Sequence, residues 1–225
     1  MKARATLAGY SSRVLAHCNP RYTKQHTKHV SPLTFNTKTP LSHHTTRNQS
    51  HQNERNMGTR HLICIYHNGR FVVAQYGQYD GHPSATGMAV LRFLTQGNIK
   101  LLRDNIHFAP PPKPFNGEDE YDSRGVAILG DVATATETID HVFRLDFACD
   151  GLFCEWAYVV DLDDAGALEV YKGVFPGATV DTAGLFGKVG VVNQELRARY
   201  SFDQLPSCKD EFLEACGCDE DVGEG

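Results

Sequence analysis

The sequence predicts an α+β fold: a single domain with a mainly antiparallel sheet and helices packed against it. Three observations point there. Two β-branched and aromatic runs, 60–67 and 70–76, meet at Asn68-Gly69. A second pair, 154–162 and 167–174, meets at Asp163-Asp164-Ala165-Gly166. Between the pairs lie stripes of apolar residues at helical spacing. Strands grouped in hairpins do not make a βαβ nucleotide fold, and no glycine-rich phosphate loop is present.

The first hairpin rests on Asn-Gly, because a tight two-residue turn needs φ > 0 at both positions. Its strands are apolar on both faces, which predicts a sheet covered on both sides. Residues 76–87 follow as a loop by their Gly, Pro and Asp content. Met88, Leu91, Phe93 and Leu94 then mark a helix over 85–96, with Ser84 as its N-cap and Gly97 as its end. Ile99, Leu102 and Ile106 predict a short second helix. Residues 109–124, beginning Ala-Pro-Pro-Pro-Lys-Pro, form a linker. Val126, Leu129, Val132 and Ala133 give a third helix, weakened by Gly125 and Gly130. The alternation over 142–147 predicts a strand. Residues 175–195 carry no clear period. Ser207 is expected to cap a last helix running through Cys216 to Gly217, before an acidic tail.

The formal net charge of −5 over 225 residues conceals two compositions. Residues 1–56 hold nine Lys/Arg and one acid, Glu54, for +8; residues 57–225 hold 13 basic and 26 acidic groups, for −13. The head is rich in Ser, Thr and Asn and holds six of the 11 histidines. It lacks sustained apolar periodicity after residue 16, so it is expected to be a disordered basic extension, with the domain starting at Met57. Its Arg-rich, acid-poor composition also fits a mitochondrial import signal, or a tail with affinity for nucleic acid or membrane. No secretory apolar region is present, so the expected compartment is the cytoplasm, or the mitochondrion if the head is an import signal. No apolar run approaches the roughly 18 residues of a membrane helix. The acidic domain argues against nucleic acid as a partner, because phosphate neutralisation needs Lys/Arg patches.

Candidate chemistry gathers on the 76–87 loop. Gln75, Tyr76, Gln78, Tyr79, Asp80 and His82 surround three glycines between a strand and a helix start. Aromatic faces and free backbone N–H groups there suit a small molecule or a peptide. Asp80 and His82 could act as an acid–base pair. Trp156, the single tryptophan, joins this binding set, although a lone strand Trp is more often core. Asp161, Asp163, Asp164 and Gly166 resemble a calcium loop, but Ala165 and Lys172 stand at ligand positions. Turn chemistry explains these acids better, and no metal or cofactor is expected. The seven cysteines have no zinc spacing, and their odd number without a secretory signal suggests reduced thiols. A thiol enzyme would use Cys64 or Cys154 with His61, His67 or His141.

Three blocks also carry a resemblance: Met57-Gly58-Thr59-Arg60-His61-Leu62; Tyr76-Gly77-Gln78-Tyr79-Asp80-Gly81-His82-Pro83; and Cys154-Glu155-Trp156-Ala157-Tyr158-Val159-Val160-Asp161-Leu162-Asp163 with Leu168-Glu169-Val170-Tyr171. Together they resemble an uncharacterised family common in fungi and met in bacteria and phages. The likeness covers most of 57–225 and implies membership without a mechanism. That family usually has Trp where Tyr79 stands and Tyr where His82 stands. The first hairpin is also similar to the start of N-terminal-nucleophile hydrolases, in which a Gly-Thr bond is cut and the exposed Thr attacks an amide. That likeness implies an amidohydrolase with Thr59 as nucleophile and base. Gln75 stands where that family has an acid, and Leu91-Arg92 where it has a lysine.

Overall fold

The structure is a computed structural model and describes residues 58–110, 123–163, 166–178 and 183–218. The basic head, most of the 109–124 linker, Asp164 and Ala165, and the acidic tail lie outside the described residues.

Five strands form one sheet in the order β2-β1-β3-β4-β5. They are β1 (His61–His67), β2 (Arg70–Gly77), β3 (Trp156–Asp161), β4 (Ala167–Gly173) and β5 (Gln194–Ser201). Every pair is antiparallel except β1 with β3. The fold is therefore the predicted α+β domain with a mainly antiparallel sheet. The described strands make a single sheet.

Both predicted hairpins form. Asn68 (φ 53°) and Gly69 (φ 74°) take the left-handed conformations that their turn requires. Asp163 joins the two turns: its carboxylate accepts the N–H of Asn68 at 2.6 Å and of Gly69 at 2.8 Å. Turn chemistry, as expected, occupies this acid.

Both faces of the sheet are covered over β1 to β4, which is why those strands are largely apolar. On one face Ile63, Ile65, Tyr158 and Val170 meet the helices α1 (Met88–Phe93), α2 (Ile99–Asn105), α3 (Ala127–Thr134) and α5 (Lys209–Ala215). On the other, Leu62, Cys64 and Val159 meet Leu145, Leu185 and Phe186. Leu185 and Phe186 belong to the short helix α4 (Gly184–Lys188). Among the described residues no helix is long and apolar enough to cross a membrane.

Local readings differ from the structure at four places. The helix after the loop begins earlier, with a wide π-type turn at Pro83–Gly87, and its cap is His82 rather than Ser84. Pro83 explains the shift, since a ring-locked φ without an N–H suits a first helical position. Gly97 (φ 83°) does interrupt the helix. The segment 142–147 is no strand: Leu145–Cys149 forms a 3-10 turn. Its entry gives β2 one bond, Arg144 N–H to the Ala74 carbonyl at 2.8 Å, and then closes on itself through Phe147 N–H to the Arg144 carbonyl. The fifth strand lies instead at 194–201, where Glu195, Arg197 and Arg199 alternate with Gln194, Ala198 and Tyr200 along the sheet edge. Ser207 does not cap α5. Cys208 holds that position without a side-chain bond, and Glu211 reaches back to the Ser207 N–H at 3.2 Å.

Candidate functional site

A cleft of about 350 Å3 opens at the start of β1. Gln78, Tyr79 and Asp80 form one wall, Ala85, Thr86 and Ala89 a second, and residues 123–126 a third, with His61 at the base.

His61 is the first residue of β1 and only 3% exposed. Its strand neighbours are Gly77 on β2 and Trp156 on β3. Glycine opposite it is a steric requirement. A Cβ on Gly77 would fall 2.2 Å from Nε2, and one on Gly125 would fall 2.8 Å from the same atom. Gly81 closes the Nδ1 side, where a Cβ would fall 2.9 Å away. Backbone bonds hold these walls: Gly81 N–H to the Thr59 carbonyl at 2.8 Å, and Gly125 N–H to the Tyr76 carbonyl at 3.1 Å. Tyr158 locks the loop from beneath, its buried hydroxyl donating to the Gly81 carbonyl at 2.8 Å.

Among the described residues, neither ring nitrogen of His61 meets hydrogen-bond geometry, although the Thr59 carbonyl lies near enough to favour its proton. Burial disfavours the charged ring and lowers its pKa from 6.5 to about 4. The Thr59 carbonyl and the Asp80 carboxylate favour the proton but are outweighed. The imidazole is neutral at pH 7, with one donor and one acceptor. Such an orphaned pair in a closed interior costs about 1–3 kcal/mol per unmet group.

The walls are open and set polar groups among apolar surface. Asp80 (φ 56°) adopts a left-handed turn conformation that Asp tolerates, and its carbonyl accepts the Thr86 N–H at 3.0 Å. Tyr79 is 63% exposed and stands over Gly58, where a Cβ would fall 2.4 Å from its ring. Arg124 is engaged by Asp131 at 3.1 Å and by the Asp140 carbonyl.

The structure thus brings Gln78, Tyr79 and Asp80 together and separates the other expected residues. His82 does not pair with Asp80. Its Nδ1 accepts the Ser84 N–H at 3.2 Å, and its ring meets Trp156 edge-on at 5.7 Å. Burial, then the Lys172 charge, lower the His82 pKa. The histidine that Asp80 acts on is His61. Trp156 is 4% exposed and belongs to the core. Gln75 is fully buried within β2 opposite Ile63. Tyr76, one residue on, points to the opposite face and packs on Phe147 at 5.0 Å. Thr59 contributes its carbonyl to the loop, and its side chain does not line the cleft.

The thiols are remote from this chemistry. Cys64 and Cys154 are completely buried on the sheet face away from His61, and burial pushes both thiols well up. His67 lies 3.5 Å from Asp163, and His141 faces the Val72 carbonyl at 3.3 Å. Five described cysteines are free thiols, as expected; Cys149 is disulfide-bonded, unlike the reduced state predicted for it.

A second buried polar centre was not anticipated. Glu169 is fully buried on β4, where its Oε2 accepts the Tyr171 hydroxyl at 2.5 Å and the Leu185 N–H at 2.9 Å. Arg199 lies 3.5 Å from Oε1. This carboxylate seats the first turn of α4 on the sheet. Among the described residues no group of three His, Cys, Asp or Glu side chains is placed to hold a metal ion.

No protein-family model, curated protein or solved structure matches the chain.

Proposed function

We propose that the protein is a binding module whose small-molecule ligand sits in the cleft beside Gln78, Tyr79 and Asp80. One observation carries this reading: a neutral histidine, buried and without a hydrogen-bond partner among the described residues, forms the base of an open cleft. Buried polar groups are almost always paired, so an exception needs a reason. The glycine walls bury both ring nitrogens, so a ligand would have to part those walls to supply the missing partners. A volume of about 350 Å3 lies at the small end of ligand pockets and suits a compact molecule or one peptide side chain.

The test is a titration followed through histidine ring 15N signals. The added compounds are a panel of nucleosides, sugars, amino acids and short peptides. At least one class is expected to shift the His61 signals saturably, with a weaker response in Tyr79→Ala. If the whole panel leaves His61 unmoved at millimolar concentration, the reading fails.

A further inference from the structure

We propose that the ligand of this cleft is an organic cation, an amine or guanidinium of side-chain size. It would be held between the Asp80 carboxylate and the Tyr79 ring, above the His61 base of the cleft. The proposal rests on the binding reading above and specifies its ligand.

The cleft presents one open anion. Asp80 is exposed, and its carboxylate makes no hydrogen bond or ion pair among the described residues. The cation lining the same cleft, Arg124, is already engaged by Asp131 and by the Asp140 carbonyl. An anionic ligand would have to displace those partners and lie beside Asp80. A cation meets an unneutralised carboxylate instead.

Two further groups favour the same sign. Tyr79 leaves its ring 63% exposed at the cleft wall, and an aromatic face attracts a cation through its quadrupole. His61 is neutral, so the base of the cleft adds no positive charge to repel a cation. An open carboxylate beside an exposed aromatic face matches an organic cation. The −13 charge of residues 57–225 adds an attractive field at longer range.

The probes are butylamine and butylguanidinium, with butyramide and butyrate as neutral and anionic counterparts. Each is titrated into the full chain while the His61 ring 15N signals are followed. Both cations are expected to bind at least several-fold more tightly than either counterpart. Asp80→Asn keeps a residue that tolerates positive φ, so the loop survives while the charge is lost. It should weaken cation binding about tenfold, the factor carried by one charge-assisted hydrogen bond. Tyr79→Phe should retain binding, and Tyr79→Ala should weaken it. Equal or tighter binding of butyramide or butyrate, or unchanged cation affinity in Asp80→Asn, overturns the cation assignment and leaves the binding module standing. No response to any of the four probes overturns the cation assignment; the wider panel then decides on the binding module.

Discussion

Acidification should destabilise the domain through His61, and the size of the effect follows from its burial. The ring titrates near 4 in the folded chain instead of 6.5. Below 6.5 the unfolded chain gains a proton at this residue that the folded chain refuses. Stability therefore falls as pH drops from 6.5 toward 4, and this group has no effect above about pH 7.5. At about 1.4 kcal/mol per pH unit the full loss is about 3 kcal/mol. That is a large part of the 5–15 kcal/mol typical of a domain. The assay is urea unfolding at intervals between pH 7.5 and pH 4, for the native protein and for His61→Gln. Carboxylates contribute to both profiles, so the difference between them isolates the histidine. The gap should close by about 3 kcal/mol toward low pH. A direct NMR titration gives the decisive number: a folded-state midpoint near 6.5 refutes the argument, because the ring would then be solvated.

Three further outcomes are expected. Gly77→Ala places a methyl 2.2 Å from His61 Nε2 and should cost about 1–3 kcal/mol by overpacking; a thermal-shift measurement should show a fall of several degrees, and an unchanged melting temperature would mean that the ring is free to move aside. Tyr158→Phe removes the buried bond to the Gly81 carbonyl and should cost about 1 kcal/mol in a urea midpoint; amide exchange should quicken at Gly81–Thr86, and unchanged exchange would show that other contacts hold the loop. With a thiol reagent at neutral pH, exposed Cys208 should label first, while Cys64 and Cys154 wait for unfolding. Mass mapping that finds rapid labelling of either buried thiol would reopen a role for them in catalysis.

Strong local signals in the sequence became structure. Asn68-Gly69 could make only one kind of turn, so the first hairpin followed. Apolar stripes at 88–94 and 99–106 became helices because their period matches no other element. Signals that depend on competition failed. The alternation over 142–147 suits a strand, but after Arg144 gives β2 its N–H bond the chain closes into a 3-10 turn. The better edge strand, 194–201, is masked by its own charges, since only one of its faces is buried. Part of the site was legible for a similar reason: glycines, a tyrosine and an acid crowded between strand and helix mark a loop that presents side chains. Its base was not legible. His61 stands out only as a partner for a strand thiol, not as the base of this cleft, and Gly125 lies 64 residues away with no pattern to link them.

The sequence by itself determined the two hairpins, every helix but α4, the acidic character of the folded part and the loop that carries Gln78, Tyr79 and Asp80. Periodicity and turn chemistry are local, and local rules suffice for them. Only the tertiary structure decided which side chains share a cleft. Register placed Gly77 beside His61, strand alternation sent Tyr76 to the opposite face, and chain crossing brought Gly81 and Gly125 against the ring. Burial then set the protonation state of the histidine. Close approach between distant segments depends on the packing of the whole sheet, and no stretch of the chain encodes it alone.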